Sequence, residues 1–376
     1  MNPGAINSLL RWVTSHGLPG ARAAPVVQPL DRDAWQSLLR AAQWERVVPL
    51  LAHAVVGGAL PTTDSQLVEV LDAELRSMGA VLTLEANLVE IAEQLADANV
   101  PFRVLKGPAL AHLDYSEPAL RDFGDIDLLI APDAFDRAID IFNKLGYDRR
   151  FPEPRDGFDR RFAKSVSVIG PDGQELDLHR TLASGGFGQR IIVSMLWAAQ
   201  PDRFTLGGRT LEALGAEERF LHACYHMVLG NKPPRLVPQR DIAQMLLTGE
   251  LATDRLLILA AAWQGEAVVA HAVTTTWRNF ELAEDVPLSV WAARFKPRRR
   301  EGRELARATS PHYTYAAQAF DSVRAISSLR DQLAYVSAMA FPRRTYLQGR
   351  HAGFTARIRY ALSEVMSTRV ITKEHR

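Results

Sequence analysis

The chain has 376 residues, of which 47% are hydrophobic and 23% are charged, a composition typical of a globular protein of two or three domains. Its 44 basic residues nearly balance its 43 acidic residues, which excludes a global field that would gather nucleic acid or an anionic membrane. A single cysteine, Cys224, excludes an internal disulfide framework and favours a reducing compartment. We therefore predict a cytoplasmic protein.

Two features argue against a membrane partner. The amino-terminal segment lacks the basic start and apolar centre of a secretory signal. The longest apolar run, from Leu256 to Trp263, is too short to span a bilayer.

Helical periodicity dominates the amino-terminal part of the chain. Apolar residues recur at three- and four-residue spacing from about residue 31 to residue 99, interrupted only by the turn-rich segment GGALPTTDS. We predict an amino-terminal helical region over residues 1–95.

The pattern changes at Val100, where two strand-helix units begin. PFRVLKG is a short β-type run that ends in a glycine turn, and PALAHLDY predicts a short helix with Pro108 in its first turn. DFGDIDLLI then predicts a second strand, and PDAFDRAIDIFNKLGY predicts an amphipathic helix after it.

A hairpin completes the predicted sheet. The alternating runs FAKSVSVIG and QELDLHRTL are separated by PDG, which is a strong tight-turn signal. After about residue 205 the chain returns to helical patterns. We therefore predict an α+β fold, with a small mixed sheet in a core over residues 96–205 and a carboxyl-terminal helical domain over residues 206–376.

The candidate chemistry begins with Asp125 and Asp127. Side chains two positions apart on a strand point to the same face, so both carboxylates aim at one place. Such carboxylates repel each other unless a cation lies between them, and Mg²⁺ prefers oxygen ligands of this kind. On the hairpin, Glu175, Asp177 and His179 share one face in the same way. If the strands are neighbours, Asp177 completes a three-carboxylate site suited to two metal ions and to nucleotidyl transfer.

Three segments together resemble a known family. LKGPAL, LRDFGDIDLLI and ELDLHR resemble the bacterial family of uncharacterised nucleotidyltransferases within the DNA polymerase β-like superfamily, best over about residues 95–182. The resemblance implies an enzyme that moves NMP from an NTP to an acceptor and releases pyrophosphate, with Mg²⁺ or, alternatively, Mn²⁺ as its metal. It also implies that Asp125 and Asp127 are the metal-binding pair and that Asp177 is the third carboxylate.

The nucleotide loop departs from the wider superfamily. The resemblance assigns Lys106 and Gly107 to the loop that faces the triphosphate, but Pro108 follows where other members carry a serine, so a hydroxyl and a backbone donor are missing. Lys106 offers a point charge in place of that contact, and Arg121 offers bidentate binding of phosphate oxygens.

Several alternatives stay open at this stage. Glu175 is the substitute for Asp177 as third carboxylate, and His179 is a secondary candidate that orients Asp177 or an acceptor hydroxyl. His222 and His226 stand at zinc-ligand spacing, but packing or acceptor binding is the favoured interpretation.

The acceptor is not specified by the sequence. Small molecules, peptides or proteins, and RNA all remain candidates, and oligomeric state is open. The basic run from Lys296 to Arg303, and the segment from residue 343 to residue 359 with Tyr346, Phe354 and Tyr360, would suit RNA, although such runs are commonly solvated helix faces. The rival hypotheses are a toxin-like transferase acting on RNA, a non-catalytic nucleotide sensor or scaffold that keeps the fold, and metal-dependent phosphate hydrolysis.

Overall fold

The computed structural model describes residues 2–283 and 285–348. Across these ranges the strands are β1 Phe102–Leu105, β2 Ile126–Ile130, β3 Asp148–Arg149, β4 Ser165–Ile169, β5 Glu175–His179, β6 Asp202–Leu206 and β7 Arg209–Ala213. The helices before β6 are α1 Pro3–Ser15, α2 Arg32–Glu45, α3 Val48–Val56, α4 Asp64–Asp97, α5 Gly107–Asp114, α6 Phe135–Lys144, α7 Asp159–Phe162, α8 Gly185–Arg190 and α9 Val193–Ala198. The helices after β7 are α10 Ala216–Leu229, α11 Leu236–Thr248, α12 Thr253–Ala262, α13 Glu266–Phe280, α14 Pro287–Arg294, α15 Arg299–Thr309, α16 Tyr315–Ala325, α17 Leu329–Ala340 and α18 Arg344–Gln348.

The strands form one mixed sheet in the order β3-β4-β5-β2-β1-β7-β6. Strand β2 lies at the centre, antiparallel to β1 and parallel to β5, with Asp127 opposite Asp177. Strand β4 continues the same row, because Ser167 lies opposite Asp177. Three polar residues from three strands therefore stand side by side across the sheet.

Alternation along the strands gives the sheet two different faces. Ile126, Leu128 and Ile130 of β2 point to the face covered by α4 and α6, where they are fully buried with Leu88 and Phe142. Because side chains alternate along a strand, Asp127 points to the opposite face. There the neighbouring apolar residues of the sheet pack on α10 and the helices behind it. One face of the sheet is thus purely apolar, and the other carries the polar row.

Helical regions pack on both sides of this core. Helices α1 to α3 and the start of α4 bury their own apolar cluster, which includes Trp35, Leu38 and Leu51, and Val237 of α11 joins it. Helices α10 to α15 pack around Phe220 and Trp263. The amino-terminal helices therefore contact the carboxyl-terminal helices as well as the core. Among the residues described, no helix is both long and apolar enough to cross a membrane.

The predicted α+β class and mixed sheet are confirmed, together with the strand-helix order from β1 to α6 and the β4–β5 hairpin. The expectation of helix after about residue 205 is wrong for residues 206–213. Strands β6 and β7 form a second hairpin there, and β7 pairs with β1. Phe204, Leu206, Leu211 and Ala213 alternate around a Gly-Gly pair, which is a hairpin signal of the sequence itself.

Candidate active site

Lys106 lies at the junction between β1 and α5. Its backbone has φ 46° and ψ −125°, a conformation that side-chain-bearing residues rarely adopt. The next residue must be a glycine, because a Cβ on Gly107 would lie 2.8 Å from Cγ of Phe123. This turn aims the Lys106 ammonium at β2, where Nζ lies 2.7 Å from Oδ1 of Asp127. The strained turn thus places the Lys106 ammonium at the centre of the sheet.

Asp127 is the centre of the polar row. Its side chain is buried, and Oδ1 also lies 2.6 Å from Nε2 of His179. Burial raises the pKa of Asp127, but the Lys106 ammonium and the contact with His179 outweigh it and hold this pKa well below its ordinary value. The pKa of Lys106 is lowered by burial yet raised on balance by Asp127 and Asp125. Both partners are therefore charged at neutral pH.

Asp177 and His179 stand beside Asp127 on the neighbouring strand. Asp177 accepts a hydrogen bond from the Ser167 hydroxyl, and one of its oxygens lies 4.0 Å from Nε2 of His179. One ligand atom from each of Asp127, Asp177 and His179 falls within 4.8 Å of the others. Asp177 is partly exposed, so the cluster opens to solvent on its side.

The hydrogen bonding of His179 fits a metal centre. Nε2 faces Asp127, and Nδ1 lies 3.2 Å from the carbonyl oxygen of Thr181. A neutral imidazole donates only one hydrogen bond, and burial together with the Lys164 ammonium lowers the pKa of His179. Donation from Nδ1 to Thr181 would leave the Nε2 lone pair facing the carboxylates. The two carboxylates suit a hard divalent ion such as Mg²⁺ or Mn²⁺, and the imidazole nitrogen would favour Mn²⁺ over Mg²⁺ if it joined them as a ligand.

The remaining predicted acids lie at the edge of this cluster. Asp125 directly precedes β2 and is exposed, and its pKa is raised chiefly by the charge of Asp127. Glu175 begins β5 and is paired with Arg150. Of the two candidates for third carboxylate, Asp177 is the one that shares the cluster with Asp127.

A cleft of about 290 Å³ opens in front of the cluster. Lys106, Gly107, Asp125 and Glu175 line it from the core, and Arg46 and Arg235 line it from the helical regions. The Arg46 guanidinium packs on Gly124, where a Cβ would lie 2.0 Å from its nearest nitrogen. Arginine is well suited to phosphate oxygens, so the cleft has the charge and the size for a triphosphate.

Arg121 also borders the cleft, but its guanidinium is engaged inside the protein. It is buried and forms a bidentate pair with Asp241 of α11, with Nε 2.7 Å from Oδ1 and a terminal nitrogen 2.8 Å from Oδ2. The other terminal nitrogen donates to the carbonyl of Asp122. The pair with Asp241 ties the core to the carboxyl-terminal helices, and the triphosphate role of Arg121 stays a prediction.

Two residues of the site were not singled out in the sequence. Ser167 donates to Asp177, and the Lys164 ammonium is close enough to the carboxylates for Asp127 and Asp177 to raise its pKa, although burial and Lys106 lower that pKa on balance. Ser167 follows from the register of β4 against β5, since it lies opposite Asp177, whereas Lys164 directly precedes β4. The alternation in FAKSVSVIG already placed Ser165 and Ser167 on one face.

The other candidates lie further away. His222 is buried with its ring centroid 6.2 Å from that of His179, and His226 lines the cleft, so no second metal cluster is formed by these two among the residues described. The basic side chains from Lys296 to Arg303 are exposed along the start of α15. Tyr346 is described, whereas Phe354, Tyr360 and the rest of that basic segment lie outside the described residues.

Comparison with known proteins gives one family match and several similar structures. The family model described as uncharacterised nucleotidyltransferase matches residues 31–280. No curated protein matches the chain. Two solved structures are similar: the solution structure of the antibiotic-resistance factor ANT(2'')-Ia, at 16% identity and a TM-score of 0.33 over 49% of this chain and 92% of that one, and an antigenic nucleotidyltransferase-like protein from Paracoccidioides brasiliensis, at 15% identity and a TM-score of 0.34 over 54% and 94%.

The sheet, the carboxylate cluster and the cationic cleft all lie within residues 31–280, the part of the chain that the family model covers. The chain belongs to the family of uncharacterised nucleotidyltransferases, since the family model spans well over half of it.

Proposed function

We propose that this protein is a Mg²⁺-dependent enzyme that transfers an NMP group from an NTP to an acceptor hydroxyl and releases pyrophosphate. The observation that supports this most directly is the buried Asp127 beside Asp177 and His179, next to the Lys106–Gly107 turn that lines the cleft. Mn²⁺ is the alternative ion, and a cytoplasmic setting accords with the single buried cysteine.

The proposed metal ligands are Asp125, Asp127 and Asp177, with His179 as an additional ligand or as the group that orients Asp127. A divalent ion held there would draw charge from the α-phosphate oxygens and lower the pKa of an attacking hydroxyl. Asp125 is exposed at the mouth of the cleft, so it can reach an ion that also contacts the triphosphate.

The remaining residues have roles that need no ion. Lys106 and Arg46 bind the phosphate oxygens of the nucleotide. Arg121 borders the same cleft, and its pair with Asp241 fixes the position of the cleft wall. The acceptor oxygen forms a bond to the α-phosphorus while the bond from that phosphorus to the bridging oxygen breaks and pyrophosphate leaves. Asp177, which accepts a hydrogen bond from the Ser167 hydroxyl, takes the proton of the acceptor hydroxyl.

The test uses the four NTPs, each labelled at the α-phosphate, with Mg²⁺ and with cell extract as the source of acceptor. We expect label to move to an acceptor with release of pyrophosphate, and we expect the double variant Asp125→Asn, Asp127→Asn to lose both. Asp133→Asn, an exposed aspartate just beyond β2, is the matched control and should retain full activity.

Each other outcome identifies a different function. Release of inorganic phosphate in place of pyrophosphate would indicate hydrolysis. Label on RNA alone, with binding that weakens steeply as salt rises, would indicate an RNA-directed transferase. NTP binding with no turnover would indicate a sensor, and no NTP binding at millimolar concentration with either ion would sink the catalytic proposal.

A further inference from the structure

A second cavity, also of about 290 Å³, lies beside strand β4. Its floor is formed by Lys164, Ser165 and Ser167 of the sheet, and its walls come from the α7 segment and from helices α16 and α17. Nothing in the transfer of the nucleotide itself requires this cavity.

This cavity and the nucleotide cleft adjoin the carboxylate cluster from different sides. Ser167, on the cavity floor, donates a hydrogen bond to Asp177, and Asp177 lies opposite Asp127 on the next strand. Asp125 and Lys106 line the nucleotide cleft instead. In-line displacement requires the attacking hydroxyl to approach from the side away from the leaving pyrophosphate. Strand β5 with Asp177 lies between β4 and β2, so a molecule in the β4 cavity would reach Asp177 from the side of β4, away from Lys106 and Asp125 of the nucleotide cleft.

The walls of the β4 cavity are rich in aromatic rings. Phe158, Phe162 and Tyr335 pack on one another with ring centroids 5.3 to 5.4 Å apart, so their positions are mutually fixed. Serine hydroxyls and the Gln318 amide supply the polar part of the lining. Fixed rings next to hydroxyls favour a ligand that has both a flat face and hydroxyl groups.

The charge of the cavity restricts the ligand further. Lys164 contributes an ammonium, whereas the carboxylate of Asp159 is already paired with Arg149. Within the described part of the chain, Asp159 is the one carboxylate of the lining, and its pairing with Arg149 leaves no free lining carboxylate to balance a polycation. The lining thus suits a neutral or anionic molecule.

We propose that the β4 cavity binds the acceptor, and that the acceptor is a ring-bearing alcohol without positive charge, such as a sugar or a phenol. This inference rests on the proposed transferase function, because it assigns the second substrate of the same site. The acceptor hydroxyl would lie next to Asp177, with the ring against the aromatic wall.

The experiment narrows the β4 cavity without touching the cleft or the carboxylates. Ala319 lines the cavity from α16, so Ala319→Trp fills it. Ala306→Trp, on the exposed side of α15, is the matched control. If Ala319→Trp does not fold, as judged by circular dichroism, Gln318→Trp on the same lining takes its place.

Two readouts keep the inference separate from the proposed function. Saturation-transfer NMR with methyl glucoside, N-acetyltyrosine amide and the polycation neomycin measures cavity binding without any NTP. We expect the sugar or the phenol to bind, neomycin not to bind, and Ala319→Trp to lose the signal that Ala306→Trp keeps. In transfer assays with the acceptor that binds, Ala319→Trp should lose at least about tenfold in kcat/KM, while the Kd for NTP stays within about twofold.

The inference is overturned if neither neutral probe binds at ten-millimolar concentration, if only neomycin binds, or if Ala319→Trp binds and transfers like the control. A wild-type protein that binds the probe but no NTP would instead overturn the transferase function and leave the binding site.

Discussion

Arg46 illustrates how a single side chain from the amino-terminal helices reaches the active site. It follows α2 in the left-handed conformation, with φ 56° and ψ 43°, and its guanidinium lies on Gly124 at the mouth of the cleft. Its carboxylate neighbour Asp122 is 3.7 Å away, too far for a tight pair, so its donors can turn to a ligand.

We predict that Arg46→Ala weakens NTP binding about tenfold, because it removes one charge-assisted contact of about 1.5 kcal/mol from the triphosphate. Arg40→Ala, on the exposed side of α2, is the control and should leave the Kd unchanged. Isothermal titration with Mg²⁺ and each NTP measures both. Equal affinity of the Arg46 variant and the wild type would remove Arg46 from the nucleotide site.

Arg121 has two candidate roles, one in holding the core against α11 and one in binding the triphosphate. Asp241 receives the bidentate pair from Arg121 and also a hydrogen bond from the Tyr115 hydroxyl, at 2.8 Å. All of these groups are buried between the core and α11. Removing the cation would leave a buried carboxylate uncompensated.

We therefore predict that Arg121→Met lowers the free energy of unfolding by about 3–5 kcal/mol, measured by urea titration. The double variant Arg121→Met, Asp241→Leu should recover part of that loss, since it no longer buries an unpaired charge. A stable Arg121→Met protein that fails to bind NTP would show the opposite, namely that Arg121 acts on the triphosphate as the sequence predicts.

At the scale of elements, the backbone conformation of a glycine decides what a substitution to alanine does to stability. Gly208 lies in the β6–β7 turn with φ 77°, whereas Gly79 lies within α4, exposed and with no heavy atom within 4 Å of an added Cβ. The same substitution should have opposite effects at these positions, because alanine disfavours positive φ but favours helix.

We predict that Gly208→Ala lowers the free energy of unfolding by about 1 kcal/mol and that Gly79→Ala raises it by about 0.5–1 kcal/mol. Thermal melts of the two variants beside the wild type measure the signs. A loss of stability in Gly79→Ala would mean that the exposed surface of α4 makes a contact that the added methyl disturbs.

The elements also show what the sequence predicts well. Alternation predicts that Asp127 points away from the aliphatic face of its strand and that Asp177 shares a face with His179, and the structure pairs Asp127 with Asp177 directly. Alternation does not give strand order or register, so the pairing of Ser167 with Asp177 had to come from the structure. The β6–β7 hairpin does have a local signal, since two alternating runs flank Gly207 and Gly208, but its pairing with β1 is not given by that pattern.

Contacts between distant segments are less predictable still. Arg121 and Asp241 are 120 positions apart, and nothing in either local pattern specifies the other as its partner. Arg121 belongs to the core and Asp241 to α11, so their pairing depends on how the carboxyl-terminal helices pack on the core. The position of Arg46 in the cleft is equally hard to predict, because it depends on the packing of the amino-terminal helices against α11.

At the scale of the whole molecule, α10 brings two histidines from the carboxyl-terminal helices against the polar face of the sheet. His222 is buried beside His179, and Nε2 of His222 has no hydrogen-bond partner within the described part of the chain. Burial, together with the charges of Lys106 and His179, holds the pKa of His222 well below its ordinary value of 6.5. His226 behaves alike, since burial first and Lys106 next lower its pKa.

These pKa shifts predict an acid-sensitive interface between the sheet and α10. Above pH 6.5 the histidines are neutral in both folded and unfolded chains, and their stabilising contribution is complete. As the pH falls below 6.5, these histidines bind protons in the unfolded chain but not in the folded chain. The free energy of unfolding therefore falls by up to about 1.4 kcal/mol per pH unit for each histidine. The loss continues until the lowered folded pKa is reached.

We predict that urea titrations between pH 7.5 and pH 5.5, in the absence of divalent ions, give a decline in stability that His222→Phe reduces by up to about 1.4 kcal/mol per pH unit. Phenylalanine also removes the unpaired Nε2, so the variant should be no less stable than the wild type at pH 5.5. Phe220→Leu, a change of core volume on the same helix, should shift stability without changing its pH slope. An unchanged slope in His222→Phe would mean that His222 takes up its proton as readily in the folded protein as in the unfolded chain. The contact between α10 and the polar face of the sheet would then accept an imidazolium, although the burial of His222 argues for a neutral ring.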